Sequence, residues 1–138
     1  MKPDRKAPAS ERLPTILRRL DKAHPDARMA LEFSSPLQCI VATILSAQST
    51  DAGVNVVTKS LFRKYQKPED YLSVPEEELQ RDIHATGFFR QKARSLRGLA
   101  TKLVESYDGE VPPTMAELTS LPGVARKTAN IVQGNCFP

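Results

Sequence analysis

The residues best suited to chemistry lie late in the sequence, in Glu117-Leu-Thr-Ser-Leu-Pro-Gly-Val-Ala-Arg-Lys-Thr-Ala-Asn-Ile-Val132. The pattern reads as helix, tight turn, helix. Gly123 supplies a backbone that turns without a Cβ clash. The second helix opens with free N–H groups, and its dipole makes that end electropositive. Arg126 and Lys127 fall in its first turn. A phosphate is the natural ligand of such a construction. An ordinary helix–helix corner also uses a Pro-Gly turn, and a lone lysine is usually solvated. These residues alone leave both readings open.

The elements that must position this turn are helical. The 138 residues suffice for one domain with a core, and 40% hydrophobic with 26% charged residues is a globular balance. Residues 1–9 read as a charged, disordered tail without an apolar signal region. Ser10 is placed to cap a first helix over 10–28, with Leu13, Ile16, Leu17 and Leu20 on one stripe. Ser35-Pro36 is an N-cap followed by Pro, and Leu37, Ile40, Val41, Ile44 and Leu45 then recur at helical spacing. That helix is apolar nearly all round and is expected at the centre. A third helix begins at Thr50 or Asp51, Asp51 being assigned the structural role of N-cap. It buries Val54, Val57, Leu61, Phe62 and Tyr65. Ser73-Val-Pro-Glu76 and Thr114-Met-Ala-Glu117 read as capping boxes. A long helix runs from about Arg90 to Tyr107 with Ala93, Leu96, Ala100, Leu103 and Val104 inward. The last runs from about Arg126 to Gln133, with Gly134 and Asn135 ending it. No stretch alternates with period two, so no sheet is expected.

A net charge of +4 and a pI near 9.2 allow a polyanionic partner without demanding one. Cys39 and Cys136 are far apart in sequence, so this chain cannot by itself build a zinc or iron–sulfur site. Free buried thiols suit a reducing cytoplasm. No apolar run is long enough for a bilayer. His24 and His84 receive no role.

The hairpin resembles the helix-hairpin-helix of the endonuclease III family, with its Leu-Pro-Gly-Val-Gly, basic or polar residue, Thr-Ala pattern. Ile44-Leu-Ser-Ala-Gln-Ser-Thr-Asp51 resembles that family's Leu-Ser-Ala-Gln-x-Thr-Asp block. Ile83-His-Ala-Thr-Gly-Phe-Phe-Arg-Gln-Lys-Ala93 resembles its Gly-containing loop ahead of a long helix. The three occur in the family's order, over roughly residues 11–138. The resemblance implies an all-α helix-hairpin-helix DNA glycosylase fold, a helical barrel domain of about six or seven helices over 29–138, with the motif at 114–134. One departure is Ala125, where the family has a second glycine; alanine would be strained there if φ were positive.

The resemblance further implies base-excision repair by a bifunctional DNA N-glycosylase and AP lyase. Its substrate would be duplex DNA with a damaged base, expected to be an oxidised pyrimidine, or an abasic site. Lys127 would be the nucleophile that attacks C1′, expels the base and forms a Schiff base, followed by β-elimination. Gly123, Val124, Ala125, Arg126 and Thr128 would bind the DNA backbone. Gln48 would fill the gap left by a flipped nucleotide, against the plainer reading of a helix C-terminal cap. Phe88 would wedge into the base stack while Phe89 packs inward, against the reading that both are core. The family also has an aspartate after the lysine helix and four cysteines holding a [4Fe–4S] cluster. Neither occurs in these 138 residues, so impaired activity is expected of this chain alone. A cytoplasmic, nucleoid-associated monomer is expected. The rivals are a non-catalytic helix-hairpin-helix DNA-binding module and a purine-mismatch glycosylase of the same superfamily; Lys127 argues against the latter.

Overall fold

The computed structural model describes residues 30–137. The tail expected over 1–9 and the helix expected over 10–28 lie outside the described residues. Within them the chain is all-helical: α1 Pro36–Leu45, α2 Asp51–Lys64, α3 Pro68–Leu72, α4 Glu76–Ile83, a 3-10 turn His84–Thr86, α5 Phe89–Ser106, α6 Met115–Thr119 and α7 Arg126–Cys136. There is no strand among the described residues, in keeping with the missing period-two alternation.

Helix α1 starts as its sequence dictates. Pro36 needs no N–H partner in the first turn, and the Ser35 hydroxyl accepts the Gln38 N–H at 3.2 Å. Cys39, Ile40, Val41, Ala42 and Leu45 are all buried. A helix with so little polar surface must be surrounded, and α1 packs against α2, α5 and α7. Helix α5 packs on α1, α3 and α4, sending in Ala93, Leu96, Leu99, Ala100 and Leu103. Each such leucine contributes about 1.5–3 kcal/mol relative to exposure. Arg97 fastens α5 to the α3–α4 corner, donating from Nη1 to the Tyr71 and Val74 carbonyls at 3.2 and 2.7 Å. Tyr65 and Tyr71 stack with ring centroids 4.7 Å apart. The Tyr65 hydroxyl donates to Asp82 at 2.6 Å, and Lys64 pairs with Asp82 and Glu78, tying α2 to α4.

Local details correct three expectations. Thr50, not Asp51, is the N-cap of α2: its Oγ1 accepts the Gly53 N–H at 3.0 Å, and Asp51 sits one place inside, where its charge favours the helix dipole. Ser73 forms no capping box, because its hydroxyl donates to the Asp70 carbonyl at 2.8 Å; Pro75, held extended at φ −62°, precedes α4 instead. Helix α7 runs through Gly134 and Asn135 to Cys136. Gly134 is exposed with nothing packed on it, so it costs the helix only about 1 kcal/mol and does not end it.

Candidate nucleic-acid interface

The hairpin is built from its caps inward. Thr114 Oγ1 accepts the Glu117 N–H at 3.3 Å and donates to the Glu117 carboxylate at 2.7 Å, opening α6. The chain then turns through Leu121 to Val124, closed by the Val124 N–H on the Leu121 carbonyl at 3.1 Å. Leu121 and Val124 are buried beneath the turn, while Gly123 keeps an exposed backbone with φ +77°. A Cβ on Gly123 would lie 3.0 Å from Ser95 Cβ and 3.3 Å from Ile44 Cδ1. A Cβ on Gly98 of α5 would lie 3.1 Å from Pro122 Cβ. Two glycines, one on each side of the contact, therefore let the turn seat directly on α5 and the end of α1. Gln133 closes the hairpin from behind, donating to the Pro113 carbonyl at 3.1 Å.

Ala125 adopts φ −83°, ψ 172°, extended backbone open to any residue, so its methyl is unstrained. As the N-cap of α7 it has no side-chain oxygen, and no side chain caps the first-turn N–H groups. Arg126 and Lys127 are exposed in that turn, Thr128 is half-buried, and Ala129 and Val132 anchor the helix below. The arrangement presents free N–H donors, a positive dipole end and two exposed cations on one helix end.

Two other expected residues stand on loops near this turn's support. Helix α1 ends at Leu45, so Gln48 lies beyond it in the following turn, exposed, with φ 55°. Phe88 is 60% exposed and left-handed, with φ 47° and ψ 39°, immediately before α5. Phe89 turns back against the His84 ring, centroids 4.4 Å apart. Non-glycine residues adopt positive φ only when their surroundings hold them there, at about 1–3 kcal/mol each. Among the described residues Gln48, Phe88 and Asp108 do so. Asp108 stands beside Gly109 in the turn after α5, whereas Gln48 and Phe88 project polar and aromatic side chains outward.

Sequence reading missed Lys92. It is only 4% exposed, and its ammonium donates to the Leu45 carbonyl at 2.7 Å and the Thr86 carbonyl at 2.8 Å. Burial lowers its affinity for a proton. The available signal was register: Lys92, Leu96, Leu99 and Leu103 form one i, i+4, i+7, i+11 stripe, three of them leucines.

Among the described residues no group of three or more His, Cys, Asp or Glu could hold a metal ion. A four-iron cluster takes four thiolates, and the sequence holds Cys39 and Cys136 only. These residues do not fit the cluster. No helix of the described residues is long and apolar enough to cross a membrane.

Comparison with known proteins agrees with this architecture. The pattern of the HhH-GPD superfamily base excision DNA repair protein matches residues 41–134. The chain is 53% identical to endonuclease III of Bacillus subtilis (strain 168) over 113 residues, covering 82% of this chain and 52% of the relative. It is 47% identical to endonuclease III of Synechocystis over 131 residues, covering 95% and 60% respectively. A solved non-covalent complex of endonuclease III with DNA superposes with a TM-score of 0.78 at 50% identity, covering 82% of this chain and 53% of that one. The chain thus spans a little over half the length of the relatives it matches. It belongs to the HhH-GPD superfamily of base excision DNA repair proteins. The relatives from Bacillus subtilis and Synechocystis are endonucleases III.

Proposed function

We propose that a protein carrying this helical domain is a bifunctional DNA glycosylase and AP lyase acting on oxidised pyrimidines and abasic sites in duplex DNA. The observation that carries it is Lys127, exposed at the uncapped N-terminus of α7 within the Leu121–Thr128 hairpin. The N–H groups of Ala125 to Thr128 at the start of α7 and the Arg126 guanidinium bind a phosphate and hold the strand, while the Val124 N–H stays on the Leu121 carbonyl and closes the turn that presents them. The Lys127 side-chain nitrogen donates its lone pair to C1′. The glycosidic C–N bond breaks and the base leaves with the bonding pair, taking up one of the two protons that the Lys127 nitrogen sheds, the other going to O4′ as the C1′–O4′ bond opens. Opening of the sugar gives a Schiff base. Loss of a C2′ proton then expels the 3′ phosphate. Gln48 occupies the space left in the duplex, and Phe88 props the stack apart. A [4Fe–4S] cluster in the longer family members would draw its ligands from outside these 138 residues. Such a protein works as a monomer beside the chromosome in the cytoplasm.

The test is borohydride trapping on a duplex with a preformed abasic site. The 138-residue chain should form a covalent adduct, and Lys127→Ala should form none while still binding the duplex. No adduct from this chain, nor from one extended to the length of its relatives, under conditions where each saturates the duplex would leave a non-catalytic DNA-binding module as the better reading.

A further inference from the structure

Lys92 occupies a place in the apolar stripe of α5 where leucine would pack without desolvating a charge. Its two contacts are both backbone carbonyls, and they belong to different segments. The Leu45 carbonyl is at the last residue of α1, three residues before Gln48. The Thr86 carbonyl is at the last residue of the 3-10 turn, two residues before Phe88. One ammonium thus grips the two strands of chain that lead directly into the exposed left-handed residues. The positive charge also suits the α1 C-terminus, whose final carbonyls carry the negative end of the helix dipole. An apolar side chain at this position would fill the volume and leave both carbonyls unpaired.

We propose that Lys92 is a positioning residue that locks the Gln48 and Phe88 loops into one rigid unit, so that both side chains enter a damaged duplex together at a fixed separation. This rests on the reading that Gln48 and Phe88 insert into the DNA. Neither loop is held in its left-handed form by glycine at the inserting residue. The strap beneath them supplies the constraint, and its ligand is a duplex already weakened at one nucleotide. Rigid preorganisation means that removing either insertion should forfeit most of what the pair achieves together.

The experiment measures affinity for a short duplex bearing a tetrahydrofuran abasic analogue and for the same duplex undamaged. The variants are Gln48→Ala, Phe88→Ala and their double, with Lys92 retained and with Lys92→Met. With Lys92 present, the losses on the abasic duplex should be non-additive by about tenfold, as for groups that share a support. In Lys92→Met the same losses should become additive, and preference for the abasic duplex should drop while salt-dependent binding to undamaged duplex stays. Gln48→Ala and Phe88→Ala alter exposed side chains, so the first cycle stands even if Lys92→Met fails to fold. Additive losses with Lys92 present would overturn the proposal, as would unchanged coupling in a folded Lys92→Met. No lesion-selective loss from either single variant would instead strike the insertion reading itself.

Discussion

Replacing Gly123 with alanine strains the hairpin in two separable ways. The native φ of +77° lies in the left-handed region, where an added Cβ costs about 1–2 kcal/mol. That Cβ would also stand 3.0 Å from Ser95 Cβ and 3.3 Å from Ile44 Cδ1. Ser95 Cβ is fixed to the α5 backbone and cannot swing away, whereas Ile44 Cδ1 is a side-chain end whose room to move is limited by its burial; one forced methyl in such packing costs about 1–3 kcal/mol. The sum, about 3 kcal/mol, is a large share of the roughly 5–15 kcal/mol that holds a domain together. Urea denaturation should show a midpoint lower by about 1–3 M. Adding Ser95→Gly removes the nearer contact atom, so a double-mutant cycle should recover the Ser95 share of the packing cost and leave the φ part with the Ile44 contact. Ala125→Gly is the control. Its backbone is extended, and glycine is at least as good an N-cap as alanine, so stability should move by no more than about 0.5 kcal/mol. A Gly123→Ala protein with the wild-type midpoint would refute the claim that this turn is seated by its lack of a Cβ.

Tyr65→Phe removes the hydroxyl that donates to Asp82 and should cost about 1–2 kcal/mol in chemical denaturation, since Asp82 keeps Lys64 as a partner. Burial, followed by the neighbouring Cys136, pushes the Cys39 thiol from 9.0 to about 12. The unfolded chain therefore loses this proton first, and stability should fall as pH rises from 9.0 toward about 12. Urea midpoints across that range should fall less steeply for Cys39→Ala, with a residual slope from Tyr65 and Tyr71, whose burial also raises them. Equal slopes would show that the thiol ionises no differently in the fold.

Much of the fold was legible because its causes are local. The Ser35-Pro36 start of α1, the Thr114–Glu117 opening of α6 and the Gly109 stop after α5 depend on residues within one turn of each other. The apolar stripes of α1 and α5 follow from a 3.6-residue period, and the motif matches sufficed to name the family. The misassignments at Ser73 and Gly134 arose where two local options competed. Ser73 had carbonyls of α3 within reach as well as the start of α4, and an exposed glycine costs a helix too little to stop it.

The sequence by itself determined that the chain is helical, that Ser35 and Thr114 cap the helices they precede, and that Gly123, Arg126 and Lys127 share one hairpin. Only the tertiary structure decided which lysine is solvated and which is buried. Lys127 and Lys92 are the same residue type on amphipathic helices, yet one is exposed and the other meets a carbonyl 47 positions away. The left-handed backbones of Gln48 and Phe88 were likewise invisible, because neither residue type prefers them. Those conformations are set by packing between segments distant in sequence, where burial decides whether a charge stays in water or becomes a strut.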